Sequence, residues 1–180
     1  MKIPTIHGYI DRRILMNFTA DPEVVKKIVP APFRPQIYKD KAIVGICLIR
    51  LKNIKPKGLP DFVGVSSENG AHRIAVEWDE AGVIKSGVYI PRRDTSLKLN
   101  TLLGGRLFPG KHHHAKFNVE ERNGNYHIDF RSSDNTEIAI DATETNLFSS
   151  KSIFGTLNNA SSFFKNGDLG YSPNKKSLMG

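Results

Sequence analysis

The sequence predicts a mainly β domain of the α+β class. Many short apolar segments are separated by turn-forming residues, which is the pattern of strands joined by tight turns. Asn123-Gly124 lies between two such segments, and this dipeptide is the strongest short hairpin signal. Segments with helical spacing of apolar residues are few and short. We therefore expect a curled or barrel-like antiparallel sheet with a few short helices.

Apolar runs and turn residues place the predicted strands along the chain. They are expected at 14–19, 37–51 (a bent pair), 62–65, 73–78, 83–90, 115–121, 126–131 and 137–145. Asn69-Gly70 and Glu80-Ala81-Gly82 are predicted turns, and Lys52–Pro60 is a predicted surface loop.

Three helices are predicted, near 22–29, 95–103 and 152–165. Asp21-Pro22 begins the first, because Asp is a good N-cap and Pro is tolerated at the first helical position. Asp94 or Thr95 caps the second, and Gly104-Gly105 ends it. No repeat, low-complexity tract or linker divides the chain, so residues 1–180 are expected to form a single domain.

Composition narrows the class of protein further. With 180 residues and 39% hydrophobic content, the chain can bury one sizeable core. No apolar run approaches the roughly 20 residues of a membrane helix, so no membrane partner is expected. Cys47 is the single cysteine and lies in an apolar run, which is typical of a buried core thiol. A reduced, cytoplasmic protein is the expectation.

The positive net charge suggests an anionic partner. The chain carries 26 Lys and Arg against 18 Asp and Glu, a formal charge of +8. The sequence shows no zinc pattern, recognition helix or aromatic-interleaved basic strand, so nucleic acid is not the expected partner. A solvated basic surface and a small anionic ligand both remain open.

The segment from Gly87 to Phe117 concentrates ionisable groups between apolar anchors. It holds a buried strand with Tyr89, then Arg92 and Arg93, then Arg106, Phe108, Lys111 and three consecutive histidines. If the protein has an active site, we expect this segment to contribute to it.

Three separate motifs resemble those of a known superfamily. Residues 22–35, PEVVKKIVPAPFRP, are similar to the early helix and Val-Pro-x-Pro turn of the acetoacetate decarboxylase superfamily. The run from Glu68 through Gly87-Val88-Tyr89 to Phe108-Pro109-Gly110-Lys111 resembles its central segment. Residues 160–173, ASSFFKNGDLGYSP, resemble the uncharacterised DUF2071 branch. The resemblance implies a curled sheet or barrel around a central cavity, and a chain that lacks a C-terminal segment or closes its sheet differently.

The resemblance also implies chemistry at particular residues. In acetoacetate decarboxylase, a lysine forms a Schiff base with a β-keto acid, and the imine accepts the electron pair left by carbon dioxide. Lys111 and Glu68 are the matching catalytic candidates. The substrate-binding candidates are Arg12, Arg13, Arg92, Arg93, Arg106, Tyr89, Phe108, His112 and His114. The implied partner is a small anionic or carbonyl-containing molecule, with no cofactor; a homo-oligomer stays open.

Departures from the superfamily pattern keep an alternative open. Lys111 follows the proline of its motif one position late, and the second family acid aligns near Gly45. Lys111 could therefore be a surface lysine in a polar turn rather than a desolvated amine. The alternative function is a non-catalytic binding protein for a small acidic or carbonyl ligand that uses the same cavity.

The histidine run is not expected to bind metal. Alternate residues of a strand share a face, so at most His112 and His114 point to one side. No third ligand follows at a zinc-like spacing. The prediction is a metal-free protein in which one or two histidines border a pocket and relay protons near neutral pH.

Overall fold

Long strands dominate the fold. The computed structural model describes residues 5–98, 110–165 and 169–173. Its four longest strands are β1 (Ile6–Ala20), β4 (Lys41–Pro56), β5 (Val65–Glu80) and β6 (Val83–Thr95). The shorter strands are β2 (Arg34–Pro35), β3 (Ile37–Tyr38), β7 (His112–Arg122), β8 (Asn125–Ser132), β9 (Glu137–Thr143) and β10 (Gly170–Tyr171). The helices are α1 (Pro22–Lys26), α2 (Leu157–Lys165) and a 3₁₀ turn at Asp61–Val63.

All ten strands of the described residues belong to one sheet. The main path runs β1-β4-β5-β6-β7-β8-β9, while β3, β2 and β10 pair with β4, β5 and β6. Most neighbours are antiparallel, as predicted, but β6–β7 and β6–β10 are parallel pairs. The mainly β class and the curled sheet are confirmed.

The sheet is curled but does not close into a barrel. β1 and β9 stand at the two ends of the path, and each pairs with one neighbour in the described part of the chain. Of the two predicted forms, a curled sheet or a barrel, the curled sheet is therefore confirmed and the barrel is wrong. Curling instead folds the β7–β9 end over the first strands, where Leu48 of β4 packs in one cluster with Ile128 and Phe130 of β8.

Side chains of β1, β4, β5 and β6 alternate between two faces, here called inner and outer. The inner face carries Leu48 and Ile74, and it packs against α1 and against β7–β9. The outer face carries Ile43 and Cys47, and α2 covers part of it through Ala160 and neighbouring aromatic residues. Complete burial of a side chain such as Leu48 stabilises the fold by about 2 kcal/mol.

The predicted turns have mixed outcomes. Ala81-Gly82 and Asn123-Gly124 have positive φ at both residues and join antiparallel strands, as expected. The predicted turn at Asn69-Gly70 is wrong, because both residues lie inside the continuous strand β5. Gly70 packs closely there: a Cβ at this position would lie 3.3 Å from the Phe130 ring, which would have to shift by a few tenths of an ångström. The predicted loop at Lys52–Pro60 is wrong for residues 52–56, because these residues belong to β4, which ends at Pro56.

The helices are shorter than predicted. The Asp21 side chain caps α1 by accepting a hydrogen bond of 2.8 Å from the Glu23 N–H, but the helix ends at Lys26 rather than 29. α2 begins at Leu157 rather than 152. Asp94 and Thr95, the predicted caps of the middle helix, belong to β6, and most of that helix lies outside the described residues.

In the described part, no helix is long and apolar enough to cross a membrane.

Candidate functional site: an arginine groove on the outer face

The strand registers separate the arginines that are adjacent in the sequence. Arg12 is opposite Arg50 on β4, while Arg13 is opposite Ile49, so the two side chains leave opposite faces. On β6, Arg92 is opposite His72 and Arg93 is opposite Ala71 of β5. Arg12 and Arg92 consequently lie on the inner face, and Arg13 and Arg93 lie on the outer face.

Arg12 belongs to an ion-pair network at the edge of the inner core. Its Nη2 donates to Glu68 Oε2 at 2.5 Å, and its Nη1 donates to Glu121. Arg50 Nε donates to Glu68 Oε1 at 2.5 Å, and its terminal nitrogens contact Glu121 at 2.9 and 3.0 Å. Although burial opposes it, hydrogen bonds from Arg12 and Arg50 lower the pKa of Glu121. The two positive charges of the arginines and the two negative charges of the carboxylates cancel. Glu68, a predicted catalytic residue, is therefore part of an ion-pair network that connects β1, β4, β5 and β7.

Arg92 belongs to a second inner network that is centred on Asp94. This carboxylate is fully buried and accepts hydrogen bonds from His72 Nε2 at 2.9 Å, Arg92 Nη2 at 2.7 Å and Ser132 Oγ at 2.5 Å. Burial alone would raise the pKa of Asp94, but these three bonds lower it to about 2. Arg92 also reaches Asp134 through Nη1 at 2.5 Å. The sequence predicts Asp94 as a helix cap and does not predict this network, because Asp94 lies in a strand instead. The i, i+2 spacing of Arg92 and Asp94, which puts both side chains on one face of a strand, is the sequence signal for it.

The outer-face arginines lie in different surroundings. Arg13 Nε donates to the Sγ of buried Cys47 at 3.4 Å. Arg73, which sequence reasoning did not select, lies near Arg13 and has a buried Nη1 with no hydrogen-bond partner in the described part of the chain. Burial lowers the pKa of the Arg73 guanidinium; the neighbouring Cys47 opposes this shift, and the Arg13 charge adds to it. Burial also lowers the pKa of Arg93, whose Nη2 lies 3.4 Å from Ser172 Oγ.

A groove of about 470 Å³ runs along the outer face beside Arg13 and Arg73. We call it the arginine groove, and its lining residues are Arg13, Leu15, Arg73, Val88, Ile90, Ser161, Phe164, Lys165 and Gly170. The Arg73 guanidinium carbon lies 6.0 Å from the centre of the Phe164 ring, within range of a cation–π contact. In the part of the chain that the structure describes, the lining contains three cationic side chains and no carboxylate.

Small residues of β4 and β5 leave this part of the outer face open. Gly45 is opposite Arg73, and Cys47 is opposite Ala71. A Cβ at Gly45 would lie 2.0 Å from the Met16 carbonyl oxygen, so the close approach of β1 requires glycine here. The small residues at Gly45 and Cys47 of β4 leave room beside Arg13 and Arg73 above the sheet.

Lys111 is exposed and directly precedes β7. Its carbonyl oxygen accepts a hydrogen bond of 2.9 Å from the Arg93 N–H. Gly110 has φ of 121°, and a Cβ there would lie 3.5 Å from Arg93 Nε, so the main chain passes beside the Arg93 side chain. The candidates Arg106 and Phe108 lie outside the described residues.

The other candidates lie apart from the arginine groove. Tyr89 is buried on the inner face beside Val25 and Ile74, and this burial raises the pKa of its hydroxyl. His112 and His114 are opposite Arg93 and Thr95 of β6, so they share the outer side, as alternation predicts. His114 Nδ1 lies 3.1 Å from the Thr95 carbonyl oxygen and therefore donates to it.

Among residues 5–98, 110–165 and 169–173, no group of three His, Cys, Asp or Glu side chains is placed to hold a metal ion. The absence of a bound metal stays a prediction from the sequence.

Comparison with solved structures finds the same fold in an enzyme. The chain superposes on the crystal structure of acetoacetate decarboxylase from Legionella pneumophila with a TM-score of 0.57 and 15% sequence identity. The match covers 80% of this chain and 51% of that enzyme, so the chain spans about half of its length. At this identity the likeness shows the fold alone. No curated protein matches the sequence.

The family is shown by the sequence itself. The model of DUF2071, described as "Uncharacterized conserved protein (COG2071)", matches residues 10–165. That range runs from within β1 to the end of α2 and contains every residue that lines the arginine groove except Gly170. The chain is thus a member of the DUF2071 family with an acetoacetate decarboxylase-like fold.

Proposed function

We propose that this protein binds a small organic anion, such as a carboxylate or carbonyl acid, in the arginine groove. The observation that carries the proposal is the buried, unpartnered Nη1 of Arg73 beside a second arginine, Arg13. Neither residue forms an ion pair with a carboxylate in the described part of the chain. A buried cation without a counter-charge is costly, and an anion from solution would offset that cost.

The chemistry of arginine suits this role. A guanidinium group presents a planar fork of N–H donors that matches the two oxygens of a carboxylate. It also stays protonated in proteins, so it holds an anion without exchanging protons with it. The groove is therefore better suited to binding and orienting an anion than to acid–base catalysis.

Stabilisation against heat tests the binding proposal. A ligand that binds the folded state raises the melting temperature by mass action. We expect sodium acetate, acetoacetate or benzoate to raise it more than sodium chloride does at equal ionic strength. The rise should disappear in Arg73→Gln and persist in Arg131→Gln, whose arginine pairs with Glu137 on the exposed surface. Equal effects of chloride and carboxylates, or an unchanged rise in Arg73→Gln, would contradict the proposal.

A Schiff-base lyase that acts through Lys111 is the second candidate. It is favoured by the hydrogen bond from the Arg93 N–H to the Lys111 carbonyl, which places the Lys111 main chain beside an outer-face arginine. In this reaction the amine would condense with the ketone of a β-keto acid and release water. The resulting imine would accept the electron pair of the breaking C–C bond as carbon dioxide leaves, and protonation and hydrolysis would return the ketone and the amine.

Covalent trapping tests the lyase candidate. With acetoacetate and borohydride, the lyase predicts one adduct per chain that maps to Lys111 by mass spectrometry and is lost in Lys111→Ala. Lys116→Ala is the matched control, because Lys116 is an exposed lysine of the same strand region. Labelling spread over many lysines, or no labelling at all, would contradict the lyase activity and leave ligand binding as the proposed function.

A further inference from the structure

The lining of the arginine groove is divided into a cationic part and an apolar part. Arg13, Arg73 and Lys165 supply the charge. The apolar side chains are Leu15, Val88, Ile90 and Phe164, which come from β1, β6 and α2. Val88 and Ile90 are buried in the same cluster as Cys47, with Leu15 packed against it, so these walls are fixed by the sheet rather than by mobile surface side chains.

This division limits the kind of anion that fits. A phosphate or sulfate ion would engage the cations but leave the apolar walls in contact with water. A neutral apolar molecule would cover those walls but leave the buried Arg73 Nη1 without an acceptor. A molecule with one carboxylate and a compact apolar body satisfies both parts, and the groove of about 470 Å³ is of the size that holds small ligands.

We infer that the ligand of the arginine groove is an amphipathic monocarboxylate, with its carboxylate at Arg73 and Arg13 and its hydrocarbon body against Leu15, Val88, Ile90 and Phe164. The inference rests on the proposed anion-binding function and makes its ligand class specific. The Phe164 ring beside the Arg73 guanidinium joins the two parts, because it holds that cation at the border of the apolar wall.

The affinity for a carboxylate should therefore increase with the length of its hydrocarbon chain. Complete burial of one methylene group raises affinity about fourfold. The groove is open to solvent on one side, so we expect about twofold per methylene from acetate through butyrate to hexanoate in titration calorimetry. Hexanamide, which keeps the body without the charge, should bind at least about tenfold more weakly than hexanoate.

Variants separate the two parts of the groove. Arg73→Gln should weaken all three carboxylates, whereas Leu15→Thr should reduce the gain per methylene and leave acetate unchanged. If Leu15→Thr does not fold, Leu15→Ala makes the same test by shortening the same apolar wall. Arg131→Gln should bind like the unmodified protein.

The outcomes also distinguish this inference from the function on which it rests. If inorganic phosphate or acetate binds as tightly as hexanoate and depends on Arg73, anion binding stands and the amphipathic ligand is excluded. If no carboxylate binds in a way that depends on Arg73, the proposed function fails together with the inference. The inference would also be overturned if affinity rose equally with hydrocarbon length in Arg73→Gln and in the unmodified protein. The apolar parts of the ligands would then bind elsewhere.

Discussion

Arg92 and Arg93 are consecutive in the sequence, but their guanidinium groups lie on opposite faces of the sheet. Arg92 Nη2 bonds to the buried Asp94 at 2.7 Å on the inner face, while Arg93 Nη2 lies 3.4 Å from Ser172 Oγ on the outer face. Arg12 and Arg13 are separated in the same way. The inner arginines neutralise carboxylates of this chain, whereas Arg13 on the outer face lines a groove whose described lining contains no acidic residue.

The inner position of Arg92 predicts a role in stability. Arg92→Gln leaves the fully buried Asp94 with fewer donors and without its nearest permanent cation. Removal of one partner from a buried ion pair is strongly destabilising, so we expect the free energy of unfolding to fall by about 3 kcal/mol. Urea denaturation monitored by circular dichroism measures this. Arg131→Gln, an exposed ion-pair variant, should change it by less than about 0.5 kcal/mol; equal effects of the two would contradict the assignment.

The Asp94 carboxylate predicts a loss of stability in acid. Its pKa is about 2 in the folded protein against an ordinary value of 3.8, so the unfolded chain takes up the proton first as the pH falls. The stabilisation, about 2 kcal/mol, is complete above about pH 4 and is lost towards pH 2. Urea unfolding between pH 6 and 2 should show this loss. In Asp94→Asn, the free energy of unfolding should lack the part of its pH dependence that comes from the Asp94 carboxylate. Parallel pH profiles of the two proteins would refute the prediction.

The network around Arg12 predicts that Glu68 is important for the joint between strands. The Arg12 side chain is only 8% exposed, and Glu68→Gln removes one of its two carboxylate partners. We expect a loss of about 2 kcal/mol in the free energy of unfolding. Glu137→Gln, at an exposed pair with Arg131, is the control and should be nearly neutral. Carboxylate affinity at the arginine groove should be the same in Glu68→Gln, since Glu68 faces the other side of the sheet.

Much of the fold follows from local sequence signals. Asp21-Pro22 and Asn123-Gly124 form the predicted helix start and hairpin turn because the chemistry of each acts within a few residues. Asn69-Gly70 carries the same kind of signal but lies inside β5, where pairing with β4 on one side and β6 on the other keeps both residues extended. The open sheet and the parallel β6–β7 pair depend on long-range pairing, which local patterns do not determine.

The candidate site was predicted only in part for a related reason. Arg12 and Arg13 are predicted from the superfamily resemblance, and Arg92 and Arg93 from the dense charge between Gly87 and Phe117. The period of two in a strand places the members of each pair on opposite faces. Arg73 was missed, because an arginine between His72 and Ile74 is typical of a solvated strand face. Its burial comes from α2, about 90 residues further along the chain, and so could not be read from its neighbours.

The most direct test of the account is an NMR titration that observes the arginine Nε–H groups. Signals of Arg12, Arg13, Arg73 and Arg92 are assigned by substituting each with lysine, and sodium benzoate is then added at constant ionic strength. The account predicts saturable shifts at Arg13 and Arg73, with Arg12 and Arg92 unchanged because their partners are carboxylates of this chain. Saturable shifts at Arg12 or Arg92 with Arg73 unmoved, or no saturable shift at any of the four, would contradict it.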